Sequence, residues 1–214
     1  MKNYSLRTWI IATIVVLILN WVSLAFGPFV CESIVQSGVE RDTVYLCYGS
    51  LGTLFRMVIG LCFFMLGLFV ARDDCKQPLS VWGGWLMATH GIMNMVYAVV
   101  IGMSTLILDI PIEGLKLISS VVLSLLLYSS LIIIACYYGR KDLRDIAIVF
   151  TVVGVAVRLN DVMSFLIQGE CSKTYVGNVL SSLIGMVLCL VYLFLWLKVV
   201  NVDTTRQPET SKRY

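Results

Sequence analysis

The sequence predicts an all-α polytopic membrane bundle with six transmembrane helices and both termini in the cytoplasm. Hydrophobic residues make up 59% of the 214-residue chain and charged residues only 14%, whereas a soluble domain has about a quarter of its residues charged. The apolar residues come in blocks that reach the roughly 20 residues a helix needs to cross a bilayer. Because lipid offers no partner to exposed backbone groups, spans of this length are expected to be helices.

Six apolar segments can be marked along a single membrane domain. They are Thr8–Val30, Ser50–Ala71, Leu79–Leu108, Leu115–Tyr138, Ile146–Ile167 and Val176–Val200. Arg56 interrupts the second segment, and the third is long enough to tilt or to run past the bilayer. Short connectors link most of them, so consecutive helices are expected to be antiparallel neighbours, and residues 201–214 to form a short cytoplasmic tail.

The positions of Lys and Arg predict the orientation of the spans. With the N-terminus inside, only Arg41, Lys116 and Lys173 fall in outer segments, and the other basic residues beside the spans fall inside. We therefore expect cytoplasmic termini. The first segment also has a basic start and small residues at Ser23 and Ala25, as a cleaved signal peptide does. Both alternatives, a retained helix and a cleaved signal, stay open.

The longest predicted loop joins the first two segments and is bracketed by Cys31 and Cys47. It lies on the predicted outer side, where an oxidising environment permits disulfides. A bond between the two thiols would order the loop by limiting its freedom. The sequence thus predicts a possible Cys31–Cys47 disulfide, with Cys171 free or competing for one partner.

Several classes of function lack their signatures. The seven cysteines and the single histidine show no metal-ligand spacing, and GxSxG, HExxH and P-loop motifs do not occur. The net charge of +3 comes from scattered residues without a basic run of nucleic-acid type. We expect no enzyme, no cofactor, no metal and no nucleic-acid partner. The expected partners are the lipid bilayer and other membrane proteins, and a homo-oligomer is a possible assembly.

Three charged residues lie inside the predicted spans. Arg158 and Asp161, in "VVGVAVRLNDVMSFLI", are three apart and so share a helix face, and Arg56 lies at the same depth as Asp161. Intramembrane charges are costly and are therefore candidates for function, yet an arginine in the outer third can also reach the headgroups. We expect this cluster to lock helices together, with either Arg158 or Arg56 as the partner of Asp161.

His90 and Asn94 form a polar pair, because residues four apart share one face of the third helix. Ser120 and Ser124 make a small-xxx-small step, which permits close helix approach and hydrogen bonds between helices. We expect these residues to serve packing. An alternative for His90 is pH sensing in an acidic compartment, since the reference pKa of histidine is about 6.5.

The opening "YSLRTWIIATIVVLILN" resembles that of the arthropod Pasiflora-type four-span proteins and of the related lysosome-associated four-span proteins. The stretch "SLRT" at positions 5–8 matches their start, and Trp9 stands where they have glycine. The turn "VARDDCKQPLSVWGGWL" and the helix "LLLYSSLIIIACYYGRKDLRD" extend the resemblance over roughly Tyr4 to Asp145. The family has four helices, so the fifth and sixth spans lie outside it.

The resemblance implies a tetraspan-like scaffold of the cell surface or of cell junctions. The tail "NVDTTRQPETSKRY" has no PPxY or tyrosine-based sorting signal, which favours the plasma membrane over endosomes or lysosomes. We expect a non-catalytic multi-pass membrane protein that organises membrane contacts, cell junctions or trafficking by lateral helix packing. The alternative is a small solute or ion transporter or channel subunit, with a polar path formed by residues of spans 3 and 5.

Overall fold

The computed structural model describes residues 2–72, 78–103, 113–168 and 175–206. Within these ranges there are six helices, in chain order: α1 Lys2–Gln36, α2 Arg41–Ala71, α3 Pro78–Met103, α4 Glu113–Tyr138, α5 Lys141–Gln168 and α6 Tyr175–Arg206. Each is long and apolar enough to cross a membrane. The all-α fold class and the six predicted spans are confirmed, whereas the cytoplasmic placement of the termini stays a prediction.

The largest difference from the sequence-based boundaries lies between α1 and α2. Helix continues through most of the expected loop and leaves only a turn at residues 37–40. Gly38 closes this turn with a φ of 100°, a left-handed value that glycine adopts without steric cost. Hydropathy marks only the segment that favours lipid, whereas a helix continues for as long as its backbone hydrogen bonds are uninterrupted. α1 and α2 therefore form one long helical hairpin.

The six helices pack as a ring. Each helix contacts the next one in the chain, and α6 returns to contact α1. Side chains that cross the ring join helices that are not adjacent: the hydroxyl of Tyr192 on α6 donates a hydrogen bond of 2.9 Å to the carbonyl oxygen of Leu131 on α4. This order of neighbours determines which polar side chains can meet.

A hydrophobic core fills one half of the ring. It includes Leu6 and Ile10 of α1, Leu66 of α2 and Trp196 of α6, all buried. These residues lie towards the helix ends that carry the chain termini, and we call this half of the bundle the terminal half. The opposite half, which carries the turn at residues 37–40, is called the hairpin half. The terminal half is thus closed by packed side chains.

Glycines bring α2 and α3 into direct backbone contact. A Cβ atom on Gly84 would lie 2.6 Å from the carbonyl oxygen of Gly67, and one on Gly60 would lie 2.7 Å from that of Gly91. Gly60 and Gly67, like Gly84 and Gly91, are seven residues apart, a spacing that keeps the contacts on one seam of each helix. Small residues of this kind let membrane helices approach closely and gain van der Waals contact.

Candidate functional site

Arg158 and Asp161 form an ion pair within α5. Arg158 Nη1 lies 3.0 Å from Asp161 Oδ2, and Asp161 is buried, with 6% of its surface exposed. Arg158 Nε also donates a hydrogen bond of 3.0 Å to Ser124 Oγ on α4. One guanidinium group thus joins its own helix to the neighbouring one.

Arg56 lies apart from this pair. Its guanidinium carbon is 5.5 Å from the centroid of the Tyr97 ring on α3, a cation–π contact. α2 packs against α1 and α3, whereas α5 packs against α4 and α6. The expected cluster of three charges is therefore an Arg158–Asp161 pair and a separate Arg56, because equal depth in the membrane does not make two helices neighbours.

His90 and Asn94 connect α3 to two different helices. His90 is buried, and its Nδ1 lies 2.9 Å from the carbonyl oxygen of Leu123 on α4; since a carbonyl can only accept, Nδ1 carries the hydrogen. The Phe63 ring packs edge-on against the imidazole, with centroids 5.2 Å apart. Asn94 Nδ2 donates a hydrogen bond of 3.0 Å to the backbone oxygen of Arg56 on α2. Each of the two side chains therefore hydrogen-bonds to the backbone of a helix that neighbours α3.

Ser120 and Ser124 of α4 bond chiefly to their own helix. Ser120 Oγ donates to the carbonyl oxygen of Leu117 at 2.8 Å, and Ser124 Oγ donates to that of Ser120 at 2.7 Å. Ser124 has a second role, because its oxygen also accepts the hydrogen bond from Arg158. In these hydrogen bonds Ser124 joins α4 to α5, whereas Ser120 bonds within α4.

The expected Cys31–Cys47 disulfide is absent, since both residues are free cysteines. Cys31 is buried in α1 and Cys47 is exposed in α2, so each thiol is held by a helix and not by a flexible loop. Both line an apolar groove of about 570 Å³ between α1 and α2. The extended hairpin orders this part of the chain without a covalent bond. Cys171 lies outside the described residues.

A cavity of about 510 Å³ lies within the hairpin half of the bundle. Its wall comes from α1, α2, α3, α4 and α6 and is rich in polar groups. The polar and charged lining residues are Asn20, Ser23, Tyr48, Thr53, Arg56, Tyr97, Lys116 and Ser182. Two of them are cations, and none of the described lining residues is Asp or Glu.

Of these lining residues, only Arg56 was predicted to belong to a site, whereas Ser23 and Lys116 were considered only for signal cleavage and for the orientation of the spans. The others come from four further helices of the ring as well as from α2, and among them only Asn20 and Ser23, three residues apart in α1, share a helix face by their spacing. Nothing along the chain indicates that residues of different helices meet at one cavity. The cavity lining does not include His90, Asn94, Arg158 or Asp161, so the polar path expected from spans 3 and 5 does not coincide with it. Among the described residues, no three His, Cys, Asp or Glu side chains are placed to hold a metal ion.

Comparisons with known proteins return nothing similar to this chain: no family model matches it, and neither does any curated protein or solved structure. The likeness to the Pasiflora-type proteins stays a prediction from the quoted motifs. What the sequence and the fold establish together is the broad class. The chain is a multi-pass, α-helical integral membrane protein with six candidate spans.

Proposed function

We propose that this protein is a non-catalytic multi-pass membrane protein that organises membrane contacts, cell junctions or trafficking by lateral helix packing and through its α1–α2 hairpin. The observation that carries the proposal is the position of Arg158, which bonds to Asp161 in its own helix and to Ser124 in α4. Intramembrane charges often mark solute or proton paths. A charge that is committed to two structural contacts is better suited to holding helices together.

The α1–α2 hairpin supports a contact with other membrane proteins. α1 has 35 residues and α3 has 26, and at 1.5 Å per residue α1 is longer by roughly 13 Å. Since the first turns of α1 belong to the core, the extra length lies in the hairpin half. There Phe29 is 66% and Val30 55% exposed. Nearby, Arg41 pairs with Glu32 at 3.2 Å.

Phe29 and Val30 end the first predicted span, where exposed apolar side chains contact lipid or another membrane protein, and the nearby Arg41–Glu32 pair offers polar contacts to such a protein. The proposed occupant of this surface is another membrane protein, with a second copy of the chain as the homotypic case. With cytoplasmic termini, as the Lys and Arg distribution predicts, the hairpin would face the outside of the cell. That placement fits a plasma-membrane protein better than one of endosomes or lysosomes.

The alternative, a small solute transporter or channel subunit, is favoured by one observation, the polar cavity of the hairpin half. Transport also needs an opening towards the other side of the membrane. The terminal half is filled by the core, in which Tyr192 and Trp196 are both 0% exposed. A transport cycle would have to open that core, whereas the packing role needs no such change.

Site-specific photo-crosslinking in intact membranes tests the packing proposal. A photoreactive residue at Phe29, on the hairpin, is compared with one at Val152, which is 63% exposed on α5 and serves as the matched apolar control. We expect discrete protein adducts from position 29 and lipid adducts alone from position 152. Lipid adducts alone at both positions would contradict a hairpin-mediated contact.

Reconstituted vesicles test the alternative directly. If the protein has the proposed packing role, vesicles that contain it should show no more flux of chloride, phosphate or small cations than empty vesicles. Flux that the Asp161→Asn substitution abolishes, with folding and membrane delivery intact, would establish transport and overturn the packing proposal.

A further inference from the structure

Arg56 brings a positive charge to the wall of the cavity in the hairpin half. Its only side-chain contact of note among the described residues is with the Tyr97 ring, whose centroid is 5.5 Å from the guanidinium carbon. A cation–π contact orients the guanidinium but does not neutralise it. Arg56 has no carboxylate partner among the described residues, so a full charge with planar N–H donors remains at the cavity.

The rest of the wall is polar and includes no Asp or Glu among its described residues. Lys116 lies on it from α4, and Asn20, Thr53 and Ser182 contribute polar side chains from three other helices. Charge interactions are stronger in a low-dielectric surrounding than in water, and a concave site lined by one sign of charge concentrates its field. The wall is therefore suited to an anion.

The size of the cavity points to an organic anion. Its volume of about 510 Å³ falls in the range of roughly 300–1,000 Å³ that is usual for ligand sites. A monatomic ion would leave most of this space unfilled. The Tyr48 and Tyr97 rings and Ile101 also line the cavity and offer contact to an apolar portion of the ligand.

We propose that this cavity binds an organic anion through a phosphate or carboxylate group, with Arg56 as the recognition residue. The guanidinium fork matches both groups in a bidentate geometry, which a lysine cannot reproduce. The inference is independent of the packing role proposed above, because it concerns the interior of the hairpin half and not its outer surface.

Two kinds of molecule carry such a phosphate or carboxylate group, namely a soluble organic anion and an anionic lipid through its headgroup. The core closes the terminal half, so access is from the hairpin half or from the surrounding lipid. The apolar groove between α1 and α2 shares Ser23 and Tyr48 with the cavity wall. An acyl chain could lie in this groove while the headgroup occupies the cavity.

Gly52 offers a way to fill the cavity without disturbing the surrounding protein. It lies on the cavity wall, and a Cβ atom added to it meets nothing within 4 Å. A leucine at this position extends into the space that the ligand would occupy. Gly185 on α6 is the matched control, since an added Cβ there also meets nothing within 4 Å and it does not line the cavity.

The test uses the full chain in phosphatidylcholine nanodiscs. One arm measures binding of phenyl phosphate by titration calorimetry. The other arm adds phosphatidylglycerol to the bilayer and counts the copies that the protein retains in native mass spectrometry. We expect binding in one arm, which identifies the source of the ligand, and we expect Arg56→Gln to weaken it at least about tenfold.

Two further variants and two controls complete the comparison. Arg56→Lys should recover part of the affinity, and Gly52→Leu should abolish binding while the protein stays folded. Arg144→Gln, which removes an exposed charge at the start of α5, and Gly185→Leu should bind like the unmodified chain. The proposal is overturned if neither arm shows binding, or if Arg56→Gln and Gly52→Leu bind as well as the two controls.

Discussion

Arg158 Nη1 lies 3.0 Å from Asp161 Oδ2, one helical turn along α5. The pair is held against α4, because Arg158 also donates a hydrogen bond to Ser124. Opposite charges within one helix cancel over a single turn, which reduces the cost of keeping them inside a membrane bundle. The partner of Asp161 in the structure is thus Arg158, and the alternative of an Arg56–Asp161 bridge across the bundle is not formed.

Removing the acid of this pair should destabilise the protein. Asp161→Asn leaves the Arg158 charge uncompensated, and breaking a buried pair costs about 3–5 kcal/mol. The Arg158 side chain is 36% exposed, so water screens part of its charge. We therefore expect a loss of about 1–3 kcal/mol in the free energy of unfolding, measured by denaturant titration in mixed micelles.

The matched control for this prediction is Glu32→Gln, which removes the acid of the exposed Arg41–Glu32 pair at the hairpin. We expect no resolvable change in stability there, because exposed ion pairs contribute little. The double variant Arg158→Gln/Asp161→Asn should lose less than the sum of its single changes. Equal stability of Asp161→Asn and Glu32→Gln would show that the intramembrane pair does not hold the bundle.

The glycine seam between α2 and α3 should not tolerate a methyl group. A Cβ atom on Gly67 would lie 2.5 Å from the carbonyl oxygen of Gly84, and a backbone atom cannot move aside without separating the helices. Gly67→Ala should therefore cost about 1–3 kcal/mol through overpacking.

Gly185→Ala is the control for the seam, because its surroundings are open. Alanine there should leave stability unchanged or raise it by about 0.5–1 kcal/mol, since glycine is a poor helix former. Thermal unfolding of the two variants in the same detergent gives the comparison. If the Gly67→Ala and Gly185→Ala variants unfold at the same temperature, the two helices do not make a backbone contact at this seam.

The hydrogen bond that crosses the ring should contribute measurably to stability. Tyr192→Phe removes the hydroxyl that donates to the Leu131 carbonyl at 2.9 Å and keeps the buried ring. We expect a loss of about 1 kcal/mol in the free energy of unfolding. Tyr45→Phe is the matched control: it removes an exposed hydrogen bond of 3.1 Å from the Tyr45 hydroxyl to Glu32 at the hairpin, where water replaces the lost partner, and it should melt like the unmodified protein. No difference between the two variants would count against the bond.

Thiol labelling should distinguish the two cysteines of the hairpin. Cys47 is exposed and Cys31 is buried, so a maleimide should modify Cys47 readily in the folded protein and Cys31 only after denaturation. Mass spectrometry of the labelled peptides measures both reactions. If neither thiol reacts until a reductant is added, the disulfide expected from the sequence exists after all.

Span positions were largely predictable from the sequence. α2 ends at Ala71 and α4 at Tyr138, where the apolar segments were expected to end, because a loss of hydrophobicity coincides there with a turn. The long loop predicted between α1 and α2 was wrong, since the helices continue through residues that are too polar to be recognised as part of a membrane span. Periodicity also placed Arg158 and Asp161 on one face, because residues three apart meet whatever the neighbouring helices are.

Contacts between helices were not predictable in the same way. The glycines at 60, 67, 84 and 91 had a visible signal, a seven-residue spacing in both helices, which was not singled out. The contact between Arg56 and Tyr97 had no signal in the sequence, because it depends on the register in which α2 and α3 meet. The cavity depends on residues from five helices, and no pattern along a single helix reveals it.

The sequence by itself determined that this is a membrane protein of six helical spans, because hydrophobicity is a local property that adds up along each segment. Only the tertiary structure decided which residues face one another. The ring places Ser124 beside Arg158, separates Arg56 from Asp161, fills the terminal half and leaves a cationic cavity in the hairpin half. These relations arise from close packing between distant parts of the chain, and the physical reason is that packing depends on the shapes of both surfaces at once.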